Sequence, residues 1–368
     1  MAMMDTRRVS EVAVAAYGVP HEQVKKERAL RLMDQIHIAI TDPSQSAAAR
    51  RMAVDLARHG GLDEAICGKV ALVVTELATN LAKHASKGEL LFRLLETASG
   101  AAEGFEVLSL DGGPGMADSV RALQDGYSTA GSPGTGLGAI IRTANEFDVF
   151  SQPGKGTGLV ARVFIHGRRA PMSHKLAIGV VHRAMQGEEI SGDAWIVQSF
   201  SGGWLCAVAD GLGHGPTAAE AAIPAIQAMR TAMNTRNPIE LLEAAHQAAK
   251  PTRGAAFGVA VVDEDDGMVR FAGVGNIAAV VLETERRRQL VSYEGILGHS
   301  YRKVSEMSNP WSHEKTLVLH SDGIGTHWDM DPYPGLLARD PSLIAGVLYR
   351  DFTRGRDDAT VVVVKDER

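Results

Sequence analysis

Cysteine is almost absent: two in 368 residues, Cys67 and Cys206, far apart and without metal-ligand spacing. They read as buried thiols of a reduced compartment. Positive charge is not in excess. A formal net charge of −6 offers nucleic acid no general attraction, because its binders usually carry a basic face. No apolar run approaches the roughly 18–20 residues that span a bilayer, so no membrane partner is expected. The N-terminal "MAMMDTRRVSEVAVAAYG" lacks a sustained signal-peptide core, which makes cytoplasm the expected location. No Walker A pattern G-x-x-x-x-G-K-[ST], fixed-period repeat or low-complexity tail is found.

What is present suits a soluble globular chain: 45% hydrophobic and 22% charged residues. The length suggests two domains, and the polar, proline-containing "HGRRAPMSHK" marks the division. We expect an extension at 1–30, a first domain at 31–166, a linker at 167–175 and a second domain at 176–368. In the first domain "IHIAIT" alternates as a strand, and "AAARRMAVDLARHGG" reads as a helix stopped by Gly60 and Gly61. Val70, Val73, Val74, Leu77 and Leu81 form one helical apolar stripe. Strands follow at "ELLFRLLE", "FEVLSLD", "FDVFS" and "GLVARVFI", implying one sheet with helices on one face. The second domain is strand-rich, with helices expected at 217–233, 238–249 and 342–352, which suggests two sheets between helices.

Carboxylates recur at strand ends in the second domain. Asp210 ends "WLCAVAD", Asp322 ends "TLVLHSD", Asp193 opens "DAWIVQSF", and Asp357 with Asp358 opens "DDATVVVV". Each Asp-Gly taken alone is an ordinary turn signal. If the strands lie side by side, however, the carboxylates converge and repel one another unless neutralised. Hard divalent cations such as Mg²⁺ and Mn²⁺ favour carboxylate and water ligands. Two such ions can clamp a phosphate for in-line attack.

On the predicted helix 69–84, Glu76, Asn80 and Lys83 share one polar face, a pattern that a solvated helix surface also produces. "DGGPG" follows a strand and places Asp111 at its end, while "GSPGTGLG" leads into a helix-like segment. Such glycines let backbone amides approach phosphates at a helix N-terminus. "GTGLGA" also fits a dinucleotide pattern, but "RALQDGYSTAGSP" precedes it rather than a buried strand, which argues against a Rossmann site.

The ordered set "SGD", "ADGLGHG", "SDG" and "GRDDAT" resembles the metal-dependent PPM protein phosphatases of the SpoIIE type that includes RsbX, over about 176–368. The resemblance implies an α-β-β-α sandwich in which Asp193, Asp210, Asp322, Asp357 and the carbonyl of Gly211 hold two Mn²⁺ or Mg²⁺ ions. Asp210 and Asp322 would be central to catalysis, and water activated by the ions would attack phosphoserine or phosphothreonine without a phosphoenzyme. Asp358 would act from outside the ligand set. Many larger PPM enzymes anchor the phosphate with an arginine near the first acidic motif. No arginine stands at a matching position here: Arg183 is near, with a surface role expected, and His214 is either a general acid or a solvated loop residue.

The order "ELATNLAKH", "DGGPG", "GTGLG" and "GKGTGLVARV" looks like the GHKL ATPase superfamily, and within it the anti-sigma-factor serine kinases of the RsbW and RsbT kind, over about 30–166. The resemblance implies a Bergerat α/β sandwich with a mixed sheet, binding ATP and Mg²⁺. Asn80 would bind the Mg²⁺ and Lys83 would join the nucleotide site. Asp111 would accept from the adenine amino group, and Gly113 and Gly115 would shape the base pocket. Gly134, Thr135, Gly136 and Gly138 would wrap the phosphates, and Glu76 would be the general base. A histidine kinase needs a preceding helical hairpin, for which residues 1–30 are too short. The implied partner is a STAS-domain anti-sigma-factor antagonist or a stressosome-like protein. Two alternatives stay open: a first domain that only binds nucleotide and docks the partner, and a second domain that serves as an inert scaffold.

Overall fold

A computed structural model describes residues 35–97, 100–117, 136–169, 176–232, 235–283 and 286–366. The extension expected at 1–30 lies outside these.

The first sheet contains β1 (Ile36–Ile40), β2 (Gly88–Glu96), β3 (Ala102–Asp111), β4 (Glu146–Ser151) and β5 (Thr157–Phe164) in the order β1-β2-β3-β5-β4. Among the described residues three helices cover one face: α1 (Ser44–His59), α2 (Glu64–His84) and α3 (Gly136–Thr143). Asp63 starts α2 by accepting the Ile66 N–H at 2.8 Å, an N-cap that satisfies an otherwise orphaned donor. The predicted stripe of Val70, Val73, Val74, Leu77 and Leu81 is buried against the sheet. This helix is long and apolar enough to cross a membrane by length and composition, although polar residues interrupt its apolar run. Its stripe instead fills the core of the first domain.

The sheet expected to be mixed is antiparallel at every pairing. Short connections at 97–101 and 152–156 force hairpins. The α1–α2 pair returns the chain to the end where β1 finished, so that Gly88 pairs with Ile40.

The second domain stacks two five-stranded antiparallel sheets. One contains β7 (Asp193–Phe200), β8 (Gly203–Gly211), β9 (Ala255–Asp263), β10 (Met268–Val274) and β13 (Met307–Pro310). The other contains β6 (Leu176–Arg183), β11 (Ala278–Glu283), β12 (Arg286–Leu290), β14 (Thr316–His320) and β15 (Ala359–Asp366). Trp204, Val208, Phe271, Val281, Leu319 and Val362 fill the space between them. Helices α4 (Pro216–Thr231) and α5 (Pro238–Ala249) pack on the outside of the first of these sheets. The α-β-β-α sandwich is completed by α6 (Pro341–Phe352) on the outside of the other. Strands β12 and β13 escape the pattern because most of their residues are polar and exposed or half-exposed.

Helix α6 also belongs to the first domain. Every residue from Pro341 to Tyr349 is buried, because the bare face of the first sheet (Leu91, Leu108, Leu110, Phe150 and Val160) covers the side turned away from β6 and β15. Gly346 makes this close approach possible: a Cβ there would lie 2.8 Å from a Leu110 methyl. A charged cluster seals the edge. Glu106 receives Arg93 Nε at 2.5 Å and Arg162 Nε at 2.6 Å, and Arg162 continues to both oxygens of Asp340, the N-cap of α6, at 2.6 and 2.7 Å.

Candidate active sites

Asp193 and Asp210 stand directly opposite one another on the antiparallel β7–β8 pair, which brings two carboxylates to neighbouring positions at one sheet end. Asp322 follows β14 and Asp357 precedes β15, adjacent strands of the facing sheet. Ser321 joins the two sheets, donating its Oγ to Asp193 Oδ2 at 2.7 Å and accepting the Thr360 N–H at 3.0 Å. The glycines after Asp210 and Asp322 are needed for close approach rather than for a turn. A Cβ on Gly211 would fall 2.0 Å from the Ala218 carbonyl oxygen, and one on Gly323 would fall 2.0 Å from that of Asp358.

Electrostatics agree with convergence. Burial, followed by the charges of Asp193, Asp322, Asp357 and Asp358, pushes the Asp210 carboxyl up to about 9. Burial pushes Asp193 up to about 7. It also raises Asp322, with Asp357 adding to the effect and Arg354 and Asn276 opposing it. The Oδ1 of Asp193 is buried with no hydrogen-bond partner, a costly arrangement for a bare carboxylate. Among the described residues no three such side chains already close into a cage around an ion. They meet as mutually repelling oxygens, and this donor set fits a hard divalent cation.

Asp358 behaves differently. Its two oxygens accept the Met185 and Gly192 N–H groups, each at 2.8 Å, so it pins the loop that leads into Asp193. His214 is half-exposed and pairs with Glu188 at 2.8 Å. Arg183 hydrogen-bonds the Tyr349 hydroxyl on α6 and stacks over its ring, committing it to the domain interface. Asn276, which no motif marks, donates to Asp322 Oδ2 at 2.6 Å across 46 positions.

In the first domain, α2 presents Glu76 and Asn80 to the start of α3. A Cβ on Gly136 would lie 3.0 Å from Glu76 Oε2 and 3.5 Å from Asn80 Oδ1, so the third glycine box meets the polar face of α2. Gly138 is buried within α3, and Lys83 is exposed in the last turn of α2. Gly134 and Thr135 lie outside the described residues. Asp111 ends β3, and its Oδ1 accepts the Gly113 N–H at 2.7 Å; burial raises its pKa. Gly115 and Gly156 have φ of 69° and 80°. A Cβ on either would collide with backbone, at 2.0 Å from the Gln152 oxygen and 1.9 Å from the Asp111 oxygen respectively. The second and fourth glycine boxes thus form one floor.

Residues 40–163 match the family described as Histidine kinase-like ATPase domain, and residues 201–366 match Stage II sporulation protein E (SpoIIE). The chain is 30% identical over 128 residues to the serine/threonine-protein kinase RsbT of Bacillus subtilis (strain 168), covering 35% of this chain and 95% of that protein. By its first half the chain belongs to the histidine kinase-like ATPase family, and its second half matches the SpoIIE family model.

The SpoIIE half is similar to the phosphoserine phosphatase RsbX of Bacillus subtilis (strain 168), at 24% identity over 140 residues, 38% of this chain and 70% of that protein. A solved structure from work on the bacterial stressosome as a modular system controlling secondary messenger signalling matches 52% of this chain and all of its own. It does so at 31% identity and a TM-score of 0.48. The fold is the expected pairing of a GHKL-type domain with a PPM-type sandwich.

Proposed function

We propose that this chain is a bifunctional switch protein: its SpoIIE half is a metal-dependent phosphoserine/phosphothreonine protein phosphatase, and its ATPase half phosphorylates serine or threonine on the same partner. The convergence of Asp193, Asp210, Asp322 and Asp357 carries the reading. These carboxylates, with the Gly211 carbonyl, would hold two Mn²⁺ or Mg²⁺ ions, which supply an activated water and a clamp for the phosphate. Ser321 orients Asp193 and Asn276 orients Asp322 by direct hydrogen bonds, and Asp358 holds the 185–192 loop against the site.

In the ATPase half, Asn80 would take the Mg²⁺ of ATP, Asp111 the adenine, and Glu76 the proton of the attacking hydroxyl. The nearness of Gly136 to Glu76 and Asn80 supports this assignment. The similarity to RsbT and to the stressosome structure makes a STAS-domain or stressosome-like phosphoprotein the proposed partner, an argument from analogy. Hydrolysis of p-nitrophenyl phosphate should require Mn²⁺ or Mg²⁺ and disappear in Asp210→Ala. Metal-independent turnover, or an active variant, overturns the phosphatase assignment. Phosphorylation of the partner by ATP should be lost in Glu76→Ala while ATP still binds, and survival of phosphorylation removes Glu76 as the base.

One contact favours a second reading, in which the ATPase half gates the phosphatase. Arg350 of α6 donates from Nη1 to the Asp111 carbonyl at 3.1 Å. Just beyond the end of the same helix, the Arg354 N–H donates to the Gly323 carbonyl, next to Asp322. A non-hydrolysable ATP analogue should then change the rate of p-nitrophenyl phosphate hydrolysis in the wild type and not in Arg350→Ala.

A further inference from the structure

A phosphate monoester arrives at the second site as a dianion, and two divalent cations would formally offset only the four carboxylates that hold them, leaving the dianion's own charge to be met. A guanidinium is well suited to receive it, since its planar fork of N–H donors matches phosphate oxygens. Arg183 is directed at Tyr349 and cannot serve. Arg253 is placed differently. It lies two residues before β9, and the β8–β9 register pairs Gly211 with Ala255, so it faces the loop that follows the Asp210–Gly211 ligands.

Its Nη1 donates to the Leu212 carbonyl at 3.1 Å, and the Leu212 N–H returns a bond to the Gly254 carbonyl at 3.0 Å. A Cβ on Gly213 would sit 2.9 Å from the same Nη1, so the guanidinium lies directly over this loop. Arg253 is exposed, and among the described residues no carboxylate lies within ion-pair distance of it. One carbonyl uses one of five N–H donors. The remaining donors of this exposed side chain are open to an incoming anion.

We propose that Arg253 binds the phosphate of the substrate, taking the anchoring role for which the first acidic motif provides no arginine. The inference rests on the phosphatase reading above. Leu212 and Ile296, both exposed large apolar side chains, flank it: Ile296 Cγ2 would be 2.6 Å from a Cβ on Gly254. They offer contact to residues beside a phosphoserine or phosphothreonine, as a protein substrate presents and a small phosphate ester does not.

Arg253→Ala and Arg253→Lys would be compared with wild type in the full chain, with equal thermal midpoints confirming that both fold. Inorganic phosphate binding to the Mn²⁺-loaded proteins would be measured by calorimetry alongside kcat and KM for p-nitrophenyl phosphate and a phosphoserine peptide. Arg253→Ala should weaken phosphate binding about 10- to 100-fold and lower kcat/KM by a similar factor. Mn²⁺ affinity should stay unchanged, and lysine should restore part of the loss. Unchanged phosphate affinity in Arg253→Ala overturns the assignment while leaving the phosphatase reading intact. Lost phosphate affinity in a chain whose wild type never hydrolyses either ester keeps Arg253 as the anion site and refutes the phosphatase reading.

Discussion

Replacing Glu106 by glutamine removes the one negative charge between two buried guanidiniums while keeping the side chain's shape. The Glu106 side chain is 1% exposed, with Arg93 Nε at 2.5 Å and Arg162 Nε at 2.6 Å. Burial alone would raise its pKa, but the two arginines hold it down to about 2 from an ordinary 4.5. At about 1.4 kcal/mol per unit, that depression is worth about 3 kcal/mol. Breaking a buried pair by removing one partner typically costs about 3–5 kcal/mol, because the other charge is left uncompensated. Arg162 keeps Asp340 and Glu146, so most of the cost falls on Arg93.

Urea unfolding of Glu106→Gln at pH 7 should therefore show a loss of about 3–5 kcal/mol. All four tryptophans lie in the second half, so fluorescence follows that half and circular dichroism follows both. Because α6 is shared by both sheets, the two signals should shift together. The difference between variant and wild type should also depend on pH. A depressed folded-state pKa gives stability that is complete above the unfolded value near 4.5 and lost as pH falls through about 2. The gap should close across that acid window. A charge-free Arg93→Met with Glu106→Leu pair should recover to within about 1 kcal/mol of wild type. A loss below about 1 kcal/mol for Glu106→Gln, or a gap that widens in acid, refutes the reasoning.

Asp210→Asn should raise the stability of the metal-free protein by about 1–3 kcal/mol by relieving carboxylate repulsion, read by thermal unfolding in chelator. It should also weaken Mn²⁺ binding by more than about 100-fold. Gly156→Ala places a Cβ 1.9 Å from the Asp111 oxygen at a φ of 80°. It should cost about 3 kcal/mol or more and abolish nucleotide binding measured by calorimetry. His214→Ala should leave kcat for p-nitrophenyl phosphate within about 3-fold of wild type, since the ring is half-exposed and held by Glu188. A larger loss would restore it as a general acid.

Much of the fold was legible because period and punctuation agree. The α2 stripe falls at helical spacing and is buried as a stripe, and α6 was placed to within a residue at each end. Strands β12 and β13 were illegible because they carry few apolar residues to alternate. Asp193, Asp210, Asp322 and Asp357 could be chosen from sequence because each sits at a strand end with a recognisable neighbour. Asn276 and Arg253 could not. Asn276 reaches Asp322 and Arg253 reaches the Leu212 carbonyl through pairings distant in the chain, and neither residue type is unusual in its loop.

The sequence by itself determined the local elements, the division into a nucleotide-type half and a carboxylate-rich half, and the candidate ligands, because these depend on periodicity and short motifs. Tertiary structure decided that Asp193 and Asp210 are cross-strand neighbours, that Asp358 is spent on backbone N–H groups, and that one helix serves both halves. These depend on register and on surfaces meeting across more than a hundred residues. A side chain's neighbours there follow from packing in three dimensions, and spacing along the chain does not encode them.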